Sequence, residues 1–188
     1  MPCIPQIILF MEFVDLSLPG ARLISLPAFT DERGTFVKTF NDAIFQEAGI
    51  GFELEESYFS YSKVGVIRGM HFQLPPHDHA KIVFCPKGAI LDVIVDLRKT
   101  SPTYGCFEAQ VLSATNHRAY YIPKGFAHGF KALEDDAITY YLVSSGYHQA
   151  SDTGIRWDSF GMDWEVKDPV ISARDKAFEL FTDFQSPF

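Results

Sequence analysis

Three short stretches concentrate side chains able to move protons or hold a ligand: Arg68-Gly69-Met70-His71-Phe72-Gln73, His77-Asp78-His79-Ala80-Lys81 and Pro123-Lys124-Gly125-Phe126-Ala127-His128. His71 is a candidate general base, because an imidazole exchanges its proton near neutral pH and a carboxylate partner fixes its tautomer. Asp175 is a candidate for that partner, Lys81 for stabilising an enolate oxygen, and Tyr141 for donating a proton on the opposite face. Each has a plainer explanation. His71 also reads as a satisfied core histidine, Asp175 as the third residue of a helix cap begun by Ser172, Tyr141 as a core aromatic beside Tyr140, and Lys81 as a surface residue. Taken singly, the plainer explanation prevails for all but His71.

The same stretches invite a metal interpretation. His77 and His79 in a His-x-His pair, with a Pro-x-Gly-x-x-His run ending at His128, match part of the metal-binding cupin pattern. Imidazoles suit Fe, Ni, Cu or Zn. The carboxylate expected a few residues after the pair is missing, since Val83 and Phe84 occupy that stretch, and Lys81 would repel a cation. We therefore expect no metal, and treat His77 and His79 as solvated loop residues after Pro75-Pro76.

The elements that would have to gather these groups read mainly as strands. Gly34 to Phe40 partly alternates apolar and polar residues, and Asn41 caps a short helix running to Ala48, stopped by Gly49. Tyr58 to Gln73 is extended, interrupted by Gly65 and Gly69. Ile82 to Cys85 and Ile90 to Asp96 flank Pro86-Lys87-Gly88 and read as a hairpin. Further strands are expected at Phe107 to Leu112, Ala119 to Ile122, Gly129 to Leu133 and, as the last clear one, Ile138 to Ser144. Beyond Asp168 the pattern turns helical, with Ser172 to Asp175 forming a capping box before Ala177, Phe178 and Leu180. The sum is a sandwich or barrel with a C-terminal helix. Arg68 and His71 are three apart, so a regular strand would point them to opposite faces. A shared pocket demands an irregularity, and Gly69 is where a bulge can form.

Composition sets the bounds. At 188 residues the chain suits one domain, able to bury roughly 70% of its unfolded surface without a disulfide or metal staple. Eighteen Phe and eight Tyr favour half-buried strands. A net charge of −8 argues against a nucleic-acid or anionic-membrane surface, which would need a basic stripe. Cys3, Cys85 and Cys106 are odd in number and lack metal-type spacing, reading as reduced thiols of a cytoplasmic protein. The apolar run at Ile7 to Phe10 is too short to span a bilayer, and no basic residue precedes Arg22. Residues 1–11 are set apart as an extension or edge strand, and 12–188 as the single domain.

From about Met11 onward the chain resembles the dTDP-4-dehydrorhamnose 3,5-epimerase family. Seven segments follow that family's order and spacing. Asp31-Glu32-Arg33-Gly34 opens the series, and Val66-Ile67-Arg68-Gly69-Met70-His71-Phe72-Gln73 is similar to the family signature. Lys81-Ile82-Val83, Asp92 to Arg98 with Ser101 to Gly105, Ile122 to Phe130, Gly154-Ile155-Arg156-Trp157 and Ser172-Ala173-Arg174-Asp175 complete it. The resemblance implies a mainly β, double-stranded β-helix fold (a cupin-like jelly roll) with short helices, working as a homodimer without a cofactor. It implies an isomerase of deoxysugar biosynthesis that inverts C3, C5 or both in a nucleotide-linked 4-keto-6-deoxyhexose. His71 would be the base, Asp175 its orienting partner, Lys81 the enolate stabiliser and Tyr141 the opposing acid, with Tyr140 as competitor. Arg33 and Arg68 would meet the diphosphate and His128 the sugar. Phe36, Tyr58, Glu56 and Arg174 complete the expected substrate contacts.

The chain departs from the family in the recognition set. Lys38 stands where the family commonly has Glu, and Glu56-Ser57-Tyr58 replaces a Gln-Asp-Asn-like run. His79 replaces Gln before Ala80-Lys81, and Ser145-Gly146-Tyr147 replaces Asp-Tyr-Tyr near the base-stacking region. The proton-transfer set is intact. Rival functions are a metal-dependent cupin enzyme, a sugar-nucleotide 3,4-ketoisomerase on the same fold, and a non-catalytic sugar-nucleotide-binding module.

Overall fold

A computed structural model describes residues 10–188, so the question of an edge strand at residues 1–11 lies largely outside it. Thirteen strands and two short helices are present among the described residues. β1 (Glu12–Asp15), β2 (Arg22–Ser25), β5 (Glu56–Ser62), β7 (Lys81–Lys87), β10 (Arg118–Ile122) and β12 (Ala137–Val143) form one sheet in the order β1-β2-β10-β7-β12-β5. β6 (Ile67–Gln73), β8 (Ala89–Asp96), β9 (Phe107–Ser113), β11 (Phe126–Ala132) and β13 (Asp152–Gly154) form the second, ordered β13-β6-β11-β8-β9. A separate ribbon pairs β3 (Ala28–Asp31) with β4 (Gly34–Val37), and α1 (Asp42–Glu47) follows it. All ladders are antiparallel, and the two sheets enclose one core as a jelly roll.

The burial pattern explains the aromatic and branched composition. Val83, Cys85, Ile90, Ile94, Tyr120, Phe126 and Phe130 point between the sheets. Their neighbours Ile82 and Phe84 face the other way, under Phe45, Phe52 and α1. Val93, Val95 and Ala127 back onto Trp164, Ile155 and the C-terminal segment. Strands buried on both faces lose the alternation that a half-exposed strand displays.

That loss accounts for one wrong expectation. β7 and β8 do not pair: β7 lies between β10 and β12, and β8 between β11 and β9. Gly88, at φ +75°, turns the chain from one sheet into the other, where an added Cβ would come within 3.0 Å of Ala137 Cα. A short glycine turn between two apolar runs marks a sheet-crossing corner here. The expected C-terminal helix is likewise one turn only, α2 (Ala173–Lys176). Ala177, Phe178 and Leu180 lie outside it, because Glu179 makes a parallel bridge with Ile155 and Phe178 turns inward against His71. Helix α1 matches its expected span, with Asn41 accepting the Ile44 N–H. No helix among the described residues is long and apolar enough to cross a membrane.

Candidate active site

Between the sheets opens a cavity of about 370 Å³, within the size range of small-molecule sites. His71, His128, Arg68 and Asp152 reach it from the five-stranded sheet, and Lys81, Tyr141, Tyr58 and Ser60 from the six-stranded sheet. Glu56 and Arg174 complete the part of the lining expected from sequence.

The i, i+3 problem at Arg68 and His71 is solved by the glycine between them. His128 pairs with His71 and Phe130 with Arg68, so two steps on β11 match three on β6. This bulge turns both side chains into the same cavity. Gly69 adopts φ +145°, and a Cβ there would sit 2.6 Å from Gly129 Cα. Only glycine fits this approach.

His71 Nε2 lies 2.9 Å from Asp175 Oδ1, and Asp175 Oδ2 accepts the Gly69 N–H at 3.1 Å. The capping explanation of Asp175 is therefore incomplete. Its backbone N–H does donate to Ser172 Oγ at 3.0 Å, but its carboxylate faces the imidazole. Burial would raise the Asp175 carboxyl, yet the hydrogen bond and charge of His71 and the Gly69 N–H outweigh that and hold it below its usual value. A carboxylate at Nε2 leaves Nδ1 with the free lone pair. Phe178 meets the imidazole edge-on, 5.7 Å between centroids.

Lys81 is buried, not superficial, and its Nζ donates to the His71 carbonyl at 3.2 Å. Burial lowers its ammonium to about 8, opposed by the charges of Asp92 and Asp152. His128 Nε2 is 2.8 Å from Asp92 Oδ2, both groups fully enclosed. Burial pushes His128 down and Asp92 up, each opposed by its partner. Tyr141 packs against His128 at 5.8 Å and stacks on Tyr58 at 4.8 Å. Burial, with the charge of Asp92, pushes its phenol well above the usual value, so it holds its proton. Burial does the same to Tyr58, at about 12. Tyr140 turns to the other side of the sheet, between Phe59 and Phe84, and does not line the cavity.

Two expected contacts are not brought to the site. Arg33 is 85% exposed and paired with Asp31, and Phe36 is 62% exposed against Phe29. Both ride on the β3–β4 ribbon, which pairs only with itself. Nor are His77 and His79 solvated loop residues. His77 stacks on His148 at 3.7 Å, and His79 lines the cavity with Nδ1 against Gln73 Nε2 at 3.1 Å. Burial, then the charge of Lys81, lowers His79 to about 3 and keeps it neutral. Among the described residues no three His, Cys, Asp or Glu side chains converge as a metal site.

Sequence reasoning missed Asp92 and Asp152. Asp92 carried a signal: a carboxylate between Leu91 and Val93 in an otherwise apolar strand needs a buried partner. Asp152, in a three-residue strand after the last clear apolar run, offered none. Gln73, buried, accepts the His148 N–H and donates to the His77 carbonyl, so it ties the two loops beside the cavity together.

Known proteins similar to this chain share one family description. A family model described as dTDP-4-dehydrorhamnose 3,5-epimerase matches residues 15–183. A dTDP-4-dehydrorhamnose 3,5-epimerase of Methanothermobacter thermautotrophicus is 46% identical over 170 residues, covering 88% of this chain and 91% of the relative. Among solved structures, a 4-keto-6-deoxy sugar epimerase from the novobiocin cluster of Streptomyces spheroides superposes with a TM-score of 0.90 at 36% identity, over 97% of this chain and 92% of that one. A 3′-monoepimerase of Streptomyces bikiniensis, in complex with dTDP-quinovose, gives 0.84 at 33% identity, over 89% and 86%.

Proposed function

The chain belongs to the dTDP-4-dehydrorhamnose 3,5-epimerase family, and on that premise we propose that it inverts a carbon next to the ketone of a dTDP-linked 4-keto-6-deoxyhexose, with His71 as base and Tyr141 as acid. The observation that carries the proposal is that the two groups enter one cavity from opposite sheets. Inversion needs a proton removed from one face of a carbon and returned to the other, and two facing walls supply both.

The C4 ketone acidifies hydrogens on C3 and C5. His71 Nδ1 takes one, while Asp175 holds the Nε2 proton and steadies the imidazolium. The Lys81 ammonium meets the developing enolate oxygen, and the high proton affinity of Tyr141 keeps a proton ready for the opposite face. Positioned acid–base groups give roughly 10²–10⁴-fold, and a preorganised oxyanion donor contributes on the order of 3–4 kcal/mol. Arg68, whose guanidinium is fixed by Ser62 Oγ and the Tyr61 carbonyl, is aimed at the diphosphate together with Arg174. His128, fixed by Asp92, meets the sugar, and Tyr58 and Glu56, which also line the cavity, contact the nucleotide sugar. No cofactor enters: every step is a proton transfer, and an ammonium occupies the region where a cation would have to bind. Loss of activity on chelation would overturn that last point.

We further assign Arg33 and Phe36 to a homodimer. They stand exposed and do not line the cavity of their own chain, as residues serving a second copy would. Light scattering on the wild type and on Phe36→Asp should show a dimer weakened by the charge.

The test of function is incubation with a dTDP-linked 4-keto-6-deoxyhexose in heavy water, followed by NMR at C3 and C5. Deuterium with inversion at one or both centres is expected. Exchange at neither would overturn the epimerase assignment, and a ketone found at C3 would favour a 3,4-ketoisomerase.

A further inference from the structure

Arg174 has an environment that the proton-transfer chemistry does not explain. Its side chain is half exposed at the rim of the cavity, yet it is held at two points. Nη2 meets Asp152 Oδ2 at 2.7 Å, and the guanidinium carbon lies 5.2 Å over the Phe178 ring. Asp152 itself is mostly buried, and β13 pairs it with Gln73, two residues beyond His71 on β6. The neighbouring Gly154 admits no Cβ, which would come within 2.4 Å of the Met70 carbonyl oxygen and 2.6 Å of the Phe178 ring. The carboxylate is thus set by a strand locked against the base-bearing strand.

We propose that Asp152 is a positioning residue: it aims the Arg174 guanidinium across the mouth of the cavity, where a nucleoside diphosphate meets the nitrogens Asp152 leaves free. The proposal rests on the epimerase reading for the identity of that ligand. An unrestrained arginine at the rim would lose side-chain freedom when it grips a phosphate. A guanidinium already oriented loses less, and presents several donors in fixed geometry. Simple electrostatics predicts the opposite sign, since a carboxylate near a diphosphate repels it. The orientation effect and the repulsion are therefore separable by experiment.

A second consequence follows from position. The Lys81 ammonium shares the cavity with His71 from β6, Asp152 from β13, His128 from β11, Tyr141 from β12, Tyr58 from β5 and His79 from the preceding loop, and it also feels the buried charge of Asp92 on β8. Asp92 and Asp152 hold its proton affinity up against burial. Removing the Asp152 charge moves the loss of the Lys81 proton to lower pH.

The experiment is calorimetric binding of dTDP and of thymidine to the full chain as wild type, Asp152→Ala, Asp152→Asn, Arg174→Ala and the double variant. Asp152→Ala should weaken dTDP roughly three- to tenfold while leaving thymidine unchanged, the size expected for ordering one long side chain. Asp152→Asn, which retains an acceptor for Arg174, should weaken dTDP less. In the Arg174→Ala background the weakening by Asp152→Ala should disappear, leaving at most the small gain from removing the repulsion. The alkaline limb of turnover should move to lower pH in both Asp152 variants, which a purely structural residue would not cause. Tighter dTDP binding by Asp152→Ala, equal losses for thymidine, or additive effects in the double variant would each overturn the proposal. Failure of the wild type to exchange deuterium would sink the epimerase reading alone, since the binding cycle does not depend on turnover.

Discussion

Replacing Asp175 by Asn tests the base most directly, because the two hydrogen bonds of this carboxylate make contradictory demands on an amide. In the wild type one oxygen faces His71 Nε2 at 2.9 Å and the other accepts the Gly69 N–H at 3.1 Å. Both partners are donors when Nδ1 is the free base. An Asn offers one acceptor and one donor. If its oxygen takes the Gly69 N–H, its NH₂ faces Nε2, which must then become the acceptor and push the proton to Nδ1, blocking the base. If its oxygen faces Nε2, its NH₂ meets the Gly69 N–H head-on in a buried position, at a cost of about 1–3 kcal/mol for the unsatisfied pair.

Neither arrangement retains a negative charge beside the imidazolium, and a hydrogen bond to a charged group is worth about 1.5–3 kcal/mol, or roughly 10–150-fold in rate. With the tautomer conflict added, kcat should fall roughly 10²–10⁴-fold, the range expected when a general base is disabled. The assay is deuterium wash-in at C3 and C5 beside a dTDP binding isotherm on the same sample. Binding should stay within about threefold of wild type, since the Ser172 cap uses the backbone N–H of residue 175 and survives the change. Wash-in at the wild-type rate by a correctly folded Asp175→Asn protein would refute the assignment of His71 as an Asp-oriented base.

Three further outcomes follow from the same geometry. Tyr141→Phe should leave exchange by His71 on its own face while abolishing inversion, whereas Tyr140→Phe, altered on the far side of the sheet, should change turnover less than about threefold; inversion by Tyr141→Phe would remove it as the acid. Turnover should decline as pH rises through about 8, where the Lys81 ammonium is lost, and Lys81→Met should abolish that limb with most of the activity; an unchanged limb in the variant would assign it to another group. Burial would raise the Asp96 carboxyl, but hydrogen bonds from Arg98, Ser101 and Thr103 lower it to about 2. Its stabilisation is therefore present above about pH 4 and lost as pH falls through 2, and Asp96→Asn should cost about 2 kcal/mol at pH 7, several degrees in Tm by calorimetry.

Much of this was legible in the sequence, for identifiable reasons. Strand positions and the Asn41 cap follow from local pattern. Which sheet each strand joins does not: a strand such as β7, buried on both faces, shows no alternation, and the Gly88 corner has the residues of a hairpin turn. His71 and Lys81 could be nominated from their residue types, and Arg68 and His128 from the resemblance of their segments to the family. Their burial and pairing could not. Lys81 is a surface residue by type and an enclosed one by place, and His79 looks solvated after two prolines yet lines the cavity. Asp92 and Asp152 were missed because their partners, His128 and Arg174, are 36 and 22 residues away in sequence.

The feature that ties sequence to chemistry is the glycine between Arg68 and His71. A pleated strand alternates its side chains, so residues three apart diverge unless one extra residue is absorbed. β6 absorbs it opposite His128 and Phe130, where Gly69 and Gly129 leave no room for a side chain on either strand. The same glycine donates its N–H to Asp175, so the residue that re-aims the base also anchors the carboxylate that orients it. A substitution such as Gly69→Ala therefore cannot be a mild packing change. It would force Gly129 away, return Arg68 and His71 toward opposite faces, and disturb the Asp175 bond at once. Its expected signature is loss of both dTDP affinity and deuterium exchange, where Asp175→Asn loses exchange alone. A Gly69→Ala protein that bound dTDP normally would mean that the bulge does not govern where Arg68 points.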